Sequence, residues 1–110
     1  MRGLVFLGDR QAEVRDFPDP LPAPGEVVVA LKAGGLCGSD LHVYHQPTAE
    51  RAGNTTVPGH EPSGVVVQLG AGVTNVQVGD RVSVYHYRGC GYCRHCLAGN
   101  LMWCADRRGY

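Results

Sequence analysis

The chain has 110 residues, a formal net charge of zero and one lysine, so it can form one small domain but lacks the basic surface of a nucleic-acid-binding protein. No apolar run approaches the ~18 residues that cross a bilayer, and residues 1–7 are too short for a signal peptide. We therefore expect a cytoplasmic protein with no membrane partner. Sixteen glycines and seven prolines, without long helical periodicity, favour short strands joined by turns.

A hairpin and a proline-rich connector are predicted at the start of the chain. Residues 4–7 and 12–17 have the composition of short strands, and Gly8-Asp9 between them predicts the turn. Prolines then occupy four alternate positions. Because proline has no N–H to donate to a β-ladder, residues 18–25 are predicted to be an extended connector at a sheet edge.

The strand predicted at residues 26–33 leads into a group of polar side chains. Its sequence, EVVVALKA, is β-branched and almost continuously apolar, which predicts a core strand buried on both faces or inside a barrel. Glycines at 34 and 35 end the strand. A short helical turn is predicted from Ser39, with Ser39 or Asp40 as its N-cap. The side chains able to bind metal or move protons here are Cys37, Ser39, Asp40 and His42.

A second pair of potential ligands follows a polar loop predicted at residues 46–56. His60 and Glu61 are adjacent and lie between Pro58 and Pro62, which restrict the backbone on both sides. An imidazole and a carboxylate that are held rigidly suit metal coordination.

Three further strands are predicted before the chain enters a cysteine-rich segment. Residues 63–69 form one strand and residues 73–78 a weaker one. Residues 81–85 alternate in polarity, as a half-buried strand does. In total the sequence predicts five to seven short strands and a mainly β fold.

Residues 89–104 form a metal-binding lobe in this prediction, with four thiols in a C-x2-C-x2-C-x7-C array. Four thiolates close a structural Zn2+ site. Paired disulfides are disfavoured because the cysteines number five and no export signal is present. An iron–sulfur cluster is the other alternative, but bacterial ferredoxins place the fourth cysteine after three residues and before proline. The four thiols belong to Cys90, Cys93, Cys96 and Cys104.

This array resembles the structural-zinc lobe of the medium-chain, zinc-dependent alcohol dehydrogenases. The stretches GLCGSDLH at 35–42 and GHEPSG at 59–64 resemble the catalytic-zinc motifs of the same family and lean toward its polyol and threonine dehydrogenases. The resemblance implies a mainly β fold for residues 1–110, namely a GroES-like, partly closed β-barrel with short helices and a four-cysteine zinc lobe.

The resemblance also implies roles for individual residues. Cys37 and His60 would bind a catalytic zinc, and Glu61 would be a further ligand or a neighbouring carboxylate that exchanges with water. Asp40 would orient His60, its alternative role being a helix cap. Ser39 would take the proton of the substrate hydroxyl. His42 would pass that proton to water, unless it is a simple surface histidine.

The reaction implied is oxidation of a small alcohol to a ketone or aldehyde, through a zinc-bound alkoxide and hydride transfer to NAD or NADP, by a homo-oligomer. The family's Rossmann domain, with its glycine-rich phosphate turn, is absent from residues 1–110. We therefore expect this chain alone to be inactive, as a fragment of a longer enzyme or a truncated reading frame. The alternatives are a non-enzymatic zinc-binding structural or interaction module and, less favoured, an iron–sulfur electron carrier.

Overall fold

The computed structural model describes residues 1–53 and 57–109 and confirms a mainly β fold with short helices. These described residues form two antiparallel sheets, a hairpin of two strands and a sheet of three strands in the order β3-β4-β5. Within the described residues the strands do not close into a barrel. The elements are β1 Arg2–Gly8, β2 Gln11–Asp16, β3 Val27–Gly35, α1 Gly38–His45, α2 Thr48–Arg51, β4 Glu61–Leu69, β5 Arg81–Ser83, α3 Arg94–Leu97 and a 3-10 turn Leu101–Trp103.

The predicted hairpin is confirmed, with its turn one residue later than expected. Asp9 and Arg10 have φ values of 47° and 63°, as in the two-residue turns that match the twist of paired strands. Their N–H groups donate to the carbonyls at the end of α1, 2.8 Å from Asp9 to Gln46 and 3.0 Å from Arg10 to Tyr44. The later turn therefore also ties the hairpin to α1.

The Asp9 side chain fixes the start of α2 and should make stability depend on pH. Its carboxylate accepts the hydroxyl (2.7 Å) and the N–H (3.0 Å) of Thr48, and these bonds hold the pKa of Asp9 below its ordinary value. A lowered folded-state pKa contributes stability above the unfolded pKa, which is about 3.9, and that contribution disappears as pH falls through the folded pKa. Asp9→Asn should therefore destabilise the chain at pH 7 and progressively less at lower pH.

Urea unfolding of the two chains between pH 7 and pH 2.5 measures this difference. Thr48→Val is the matched variant, because it removes the hydroxyl donor but keeps the N–H donor, and it should lose only part of the pH-dependent term. If the difference in free energy of unfolding between parent and Asp9→Asn stays constant down to pH 2.5, the two bonds do not favour the ionised carboxylate.

The three-stranded sheet corrects the expectation that residues 26–33 are buried on both faces. Among the described strands β3 has a neighbour on one side only, and Leu31 is 62% exposed, whereas Val66 of the central strand β4 is fully buried. Within β4 itself the last three residues are exposed, so burial is greatest in the middle of the central strand. The apolar run predicted the strand correctly but could not show which side of it would be covered.

One strand prediction and one loop prediction also need correction. Residues 73–78 are mostly irregular instead of a weak strand, and at their end the Asp80 carboxylate accepts the Gln77 N–H at 2.9 Å and closes a turn. The predicted loop at residues 46–56 contains α2, which the Asp9 carboxylate anchors, and residues 54–56 lie outside the described part of the chain. The connector at residues 18–25 contains no strand, as predicted.

Candidate metal centres

Two groups of potential metal ligands lie in the described part of the chain. The four-cysteine cluster contains Cys90, Cys93, Cys96 and Cys104, and the Cys37 centre contains Cys37, His60 and Glu61. Within each group the ligand atoms lie within 4.8 Å of one another. The structure therefore brings together both sets that the sequence analysis singled out, while their occupancy by zinc stays a prediction.

The four-cysteine cluster is a compact cage of sulfurs. The Sγ atom of Cys96 lies 3.9 Å from that of Cys90 and 3.6 Å from that of Cys93. Cys104 is fully buried, and its sulfur accepts the Cys90 N–H at 3.4 Å. Four sulfurs at these separations, with backbone N–H groups directed at them, are the donor set that a tetrahedral Zn2+ site requires.

Local conformation explains how this short segment closes. Cys93 caps the N-terminus of α3, which carries Cys96 in its second half. Gly91 adopts a φ of 86°, which few other residues tolerate. At Gly89 a Cβ would collide with the Cys96 sulfur. The glycines therefore allow the chain to wrap tightly around the four sulfurs.

The thiols of the cluster differ in acidity. The backbone N–H of Cys96 stabilises the Cys93 thiolate and lowers the pKa of Cys93 to about 7. A backbone hydrogen bond from Gly91 lowers the pKa of Cys96, but burial and the neighbouring thiols outweigh it and raise that pKa to about 11. Because four thiolates repel one another, full ionisation needs a cation among them. The cluster therefore fits a metal ion.

Cys37 is held at the start of α1 and is its N-cap, in place of the predicted Ser39 or Asp40. Its sulfur accepts the Ser39 N–H at 3.3 Å and lies 2.8 Å from the Ser39 hydroxyl. These two contacts, the hydroxyl first, lower the pKa of Cys37. A helix N-terminus favours thiolate, so the cap position prepares this sulfur for a cation.

Asp40 connects the two ligands Cys37 and His60. Its side chain is buried, and one carboxylate oxygen accepts the Cys37 N–H at 2.8 Å while the other lies 3.3 Å from His60 Nδ1. Both roles considered for Asp40, helix capping and orientation of the imidazole, are thus compatible in one side chain. Desolvation lowers the pKa of His60, but the negative charges of Asp40 and Cys37 outweigh it and leave that pKa above its ordinary value.

Glu61 reaches the centre through strand pairing. It is the first residue of β4 and lies opposite Gly35, the last residue of β3. A Cβ on Gly35 would collide with the Glu61 carboxylate, so a larger residue there would displace the Glu61 side chain. The antiparallel register thereby places Glu61 beside the chain that leads to Cys37.

The two predicted proton-transfer residues lie on α1. Ser39 is exposed beside Cys37, and His42 is exposed one turn further along the helix. His42 lines a cavity of about 240 Å³ together with His45, Gln46, Pro47 and Glu50. Their roles in proton transfer stay predictions.

Comparison with known proteins decides the family. Residues 23–110 match the family model of the alcohol dehydrogenase GroES-like domain. The chain belongs to this family. Its resemblance to zinc-dependent alcohol dehydrogenases, predicted from the motifs, is thereby confirmed.

Similar GroES-like domains occur in dehydrogenases with several substrates. The chain is 42% identical to sorbitol dehydrogenase of Halalkalibacterium halodurans, covering 99% of this chain and 32% of that protein. It is 41% identical to L-threonine 3-dehydrogenase of Saccharopolyspora erythraea, over 99% of this chain and 33% of that protein. A solved structure of a short chain alcohol dehydrogenase from Escherichia coli CFT073, complexed with NADH, superimposes with a TM-score of 0.80. The two chains are 33% identical, and the match covers 100% of this chain and 32% of that chain. The chain thus spans about a third of the length of these relatives.

One residue beside the Cys37 centre of this GroES-like domain was missed in the sequence analysis. The His86 ring packs edge-on against the His60 ring, with 5.4 Å between centroids. The sequence signal was the aromatic run Tyr85-His86-Tyr87, which directly precedes the cysteine lobe. The run lies just after β5. Its position in the sequence suggested packing, and spacing could not show its long-range partner.

No helix in residues 1–53 or 57–109 is long and apolar enough to cross a membrane, and α1, the longest, has eight residues. The expected location in the cytoplasm stays a prediction.

Proposed function

We propose that this chain is the zinc-binding, N-terminal catalytic domain of an NAD(P)-dependent alcohol dehydrogenase. The observation that carries the proposal is the Cys37 centre. It brings together the Cys37 thiol that caps α1, the His60 imidazole with its carboxylate partner, and the Glu61 carboxylate. Three protein ligands with an open position are typical of catalytic zinc, whereas four closed ligands are typical of structural zinc. The substrate would be a small alcohol, oxidised to a ketone or aldehyde.

The side chains in and beside the Cys37 centre would each have a separate role. Zinc in the Cys37 centre would act as a Lewis acid on the alcohol hydroxyl, and a nicotinamide would accept the hydride. Asp40 holds the His60 ring by its Nδ1 atom, 3.3 Å away, which leaves Nε2 for coordination. The Ser39 hydroxyl, which lies 2.8 Å from the Cys37 sulfur, would accept the substrate proton, and the exposed His42 would pass it to water.

Several features of the whole enzyme belong to the same proposal. The cofactor would be NAD or NADP, supported by the relative that is complexed with NADH, and a nucleotide-binding domain would be supplied by sequence beyond these 110 residues. The enzyme would be a cytoplasmic homo-oligomer without nucleic-acid or membrane partners. This chain alone would not turn over. A purely structural zinc module explains the four-cysteine cluster but gives no reason for the contact between Asp40 and His60.

Metal counting tests the proposal. At saturating zinc the purified chain should bind about two ions, because each centre offers at least three ligands, and Cys37→Ser should bind about one. Elemental analysis after removal of loosely bound metal gives both numbers. Cys93→Ser is the matched control, since it removes one thiol from the other centre and should leave the Cys37 centre able to bind. Iron in place of zinc, or equal zinc in parent and Cys37→Ser, would contradict the assignment.

A further inference from the structure

The two metal centres are connected by one short segment, residues 84–88, which we call the bridging segment. At one end the Val84 N–H donates to the carbonyl of Pro62, two residues after His60, at 2.9 Å. At the other end Arg88 and Arg108 exchange two backbone hydrogen bonds of 2.9 and 3.0 Å. The segment is therefore tied to the Cys37 centre at its start and to the exit of the cysteine lobe at its end.

Between these anchors the ring contact of His86 with His60 joins the bridging segment to the Cys37 centre, and Tyr85 and Tyr87 are the sequence neighbours of His86. The His86 ring lies 5.4 Å from that of His60, and the Tyr87 ring lies 4.2 Å from that of His86. Tyr85 also contacts His86, at 5.0 Å. Edge-on and tilted ring pairs have preferred geometries, so a shift of Tyr87 changes where His86 can pack and hence how His60 is supported.

Arg107 holds the outer end of this series. Its guanidinium carbon lies 5.6 Å from the centre of the Tyr87 ring, within cation–π range. Its backbone N–H donates to the carbonyl of Cys104 at 3.3 Å, and Nη1 approaches the same carbonyl at 3.5 Å. Because Cys104 is fully buried in the four-cysteine cluster, the position of Arg107 depends on the closure of that cluster.

We propose that Arg107 is a positioning residue for the Cys37 centre. By holding the Tyr87 ring, it keeps His86 packed against the metal-binding imidazole of His60. The four-cysteine cluster thus has a second role, which is to fix the orientation of a ligand in the neighbouring centre. This inference rests on the proposed function, because it requires that the Cys37 centre bind metal.

Cobalt titration tests the inference without relying on turnover. The four-cysteine cluster is first filled with zinc, and Co2+ is then added to the 110-residue chain. Thiolate-to-cobalt absorption that disappears in Cys37→Ser reports binding at the Cys37 centre. Since partners that orient metal-binding histidines typically change affinity 10- to 100-fold, and Arg107 acts through two intervening rings, Arg107→Gln should weaken cobalt binding about three- to tenfold. It should also change the cobalt d–d spectrum.

Two comparisons separate positioning from charge and from folding. Arg108→Gln removes the same charge one residue away and should bind cobalt as the parent does. Tyr87→Leu removes the ring under Arg107 without changing the cysteine lobe and should weaken binding as Arg107→Gln does, whereas Tyr87→Phe keeps the ring and should restore parental affinity. If Arg107→Gln disturbs zinc binding in the cysteine lobe, the comparison of Tyr87→Leu with Tyr87→Phe still tests the positioning role.

The outcomes distinguish this inference from the proposed function. If the parent shows no cobalt absorption that depends on Cys37, the metal centre itself is wrong. If that absorption is present but Arg107→Gln and Tyr87→Leu both bind cobalt with parental affinity and spectrum, the centre stands and the positioning role of Arg107 is overturned.

Discussion

The Cys104→Ser substitution should lower the free energy of unfolding of this chain by at least about 3 kcal/mol, because it removes one ligand from a site whose zinc binding contributes on the order of 10 kcal/mol. Cys104 is fully buried, and its sulfur also accepts the Cys90 N–H. The smaller hydroxyl would bind zinc poorly and leave that N–H with a weaker partner. Thermal melting in the presence of zinc measures the loss as a lower Tm.

Two further samples show whether the loss comes from the metal. Cys90→Ser should behave like Cys104→Ser, since both remove one ligand of the same cluster. Adding a strong chelator should destabilise the parent much more than it destabilises either variant. Melting curves for both variants that coincide with that of the parent would show that the four-cysteine cluster does not stabilise the fold through a metal ion.

The Cys37→Ser substitution should have the opposite profile, sparing the fold while abolishing activity in a full-length enzyme that contains this domain. Cys37 is the N-cap of α1 and is half-buried, and serine is itself a good N-cap residue. The melting curve should therefore change little. Loss of the thiolate should release the catalytic metal, whose Lewis-acid contribution of several kcal/mol corresponds to at least a thousandfold fall in kcat, a factor of about ten for each 1.4 kcal/mol.

Activity and zinc content must be measured together for this variant. The full-length Cys37→Ser enzyme should contain about one zinc per subunit, the structural one, and should still bind nicotinamide cofactor. If the variant keeps the parental rate with one zinc per subunit, Cys37 has no role in catalysis and the proposed mechanism is wrong.

Local sequence predicted the elements whose stability is local. The hairpin β1-β2 forms where strand composition and a turn residue coincide, and the alternating residues at the start of 81–85 are half-buried in alternation as expected. The helix α2 was missed because its anchor, the Asp9 carboxylate, lies 39 residues away. Residues 73–78 were wrongly predicted as a strand because β-branched composition competes there with a turn closed by Asp80.

The sequence by itself determined the four-cysteine cluster, since four thiols within 15 residues, with glycines that permit tight turns, leave few other ways to close. Residue type and the flanking prolines indicated Cys37, His60 and Glu61 as potential ligands, but only resemblance to a family assigned them to one site. Tertiary structure decided that these three meet, because the pairing of Gly35 with Glu61 joins segments far apart in sequence. It also decided that Asp40 contacts both Cys37 and His60, and that His86 packs on His60. Strand register and ring packing are long-range contacts, and the order of residues along one segment does not specify them.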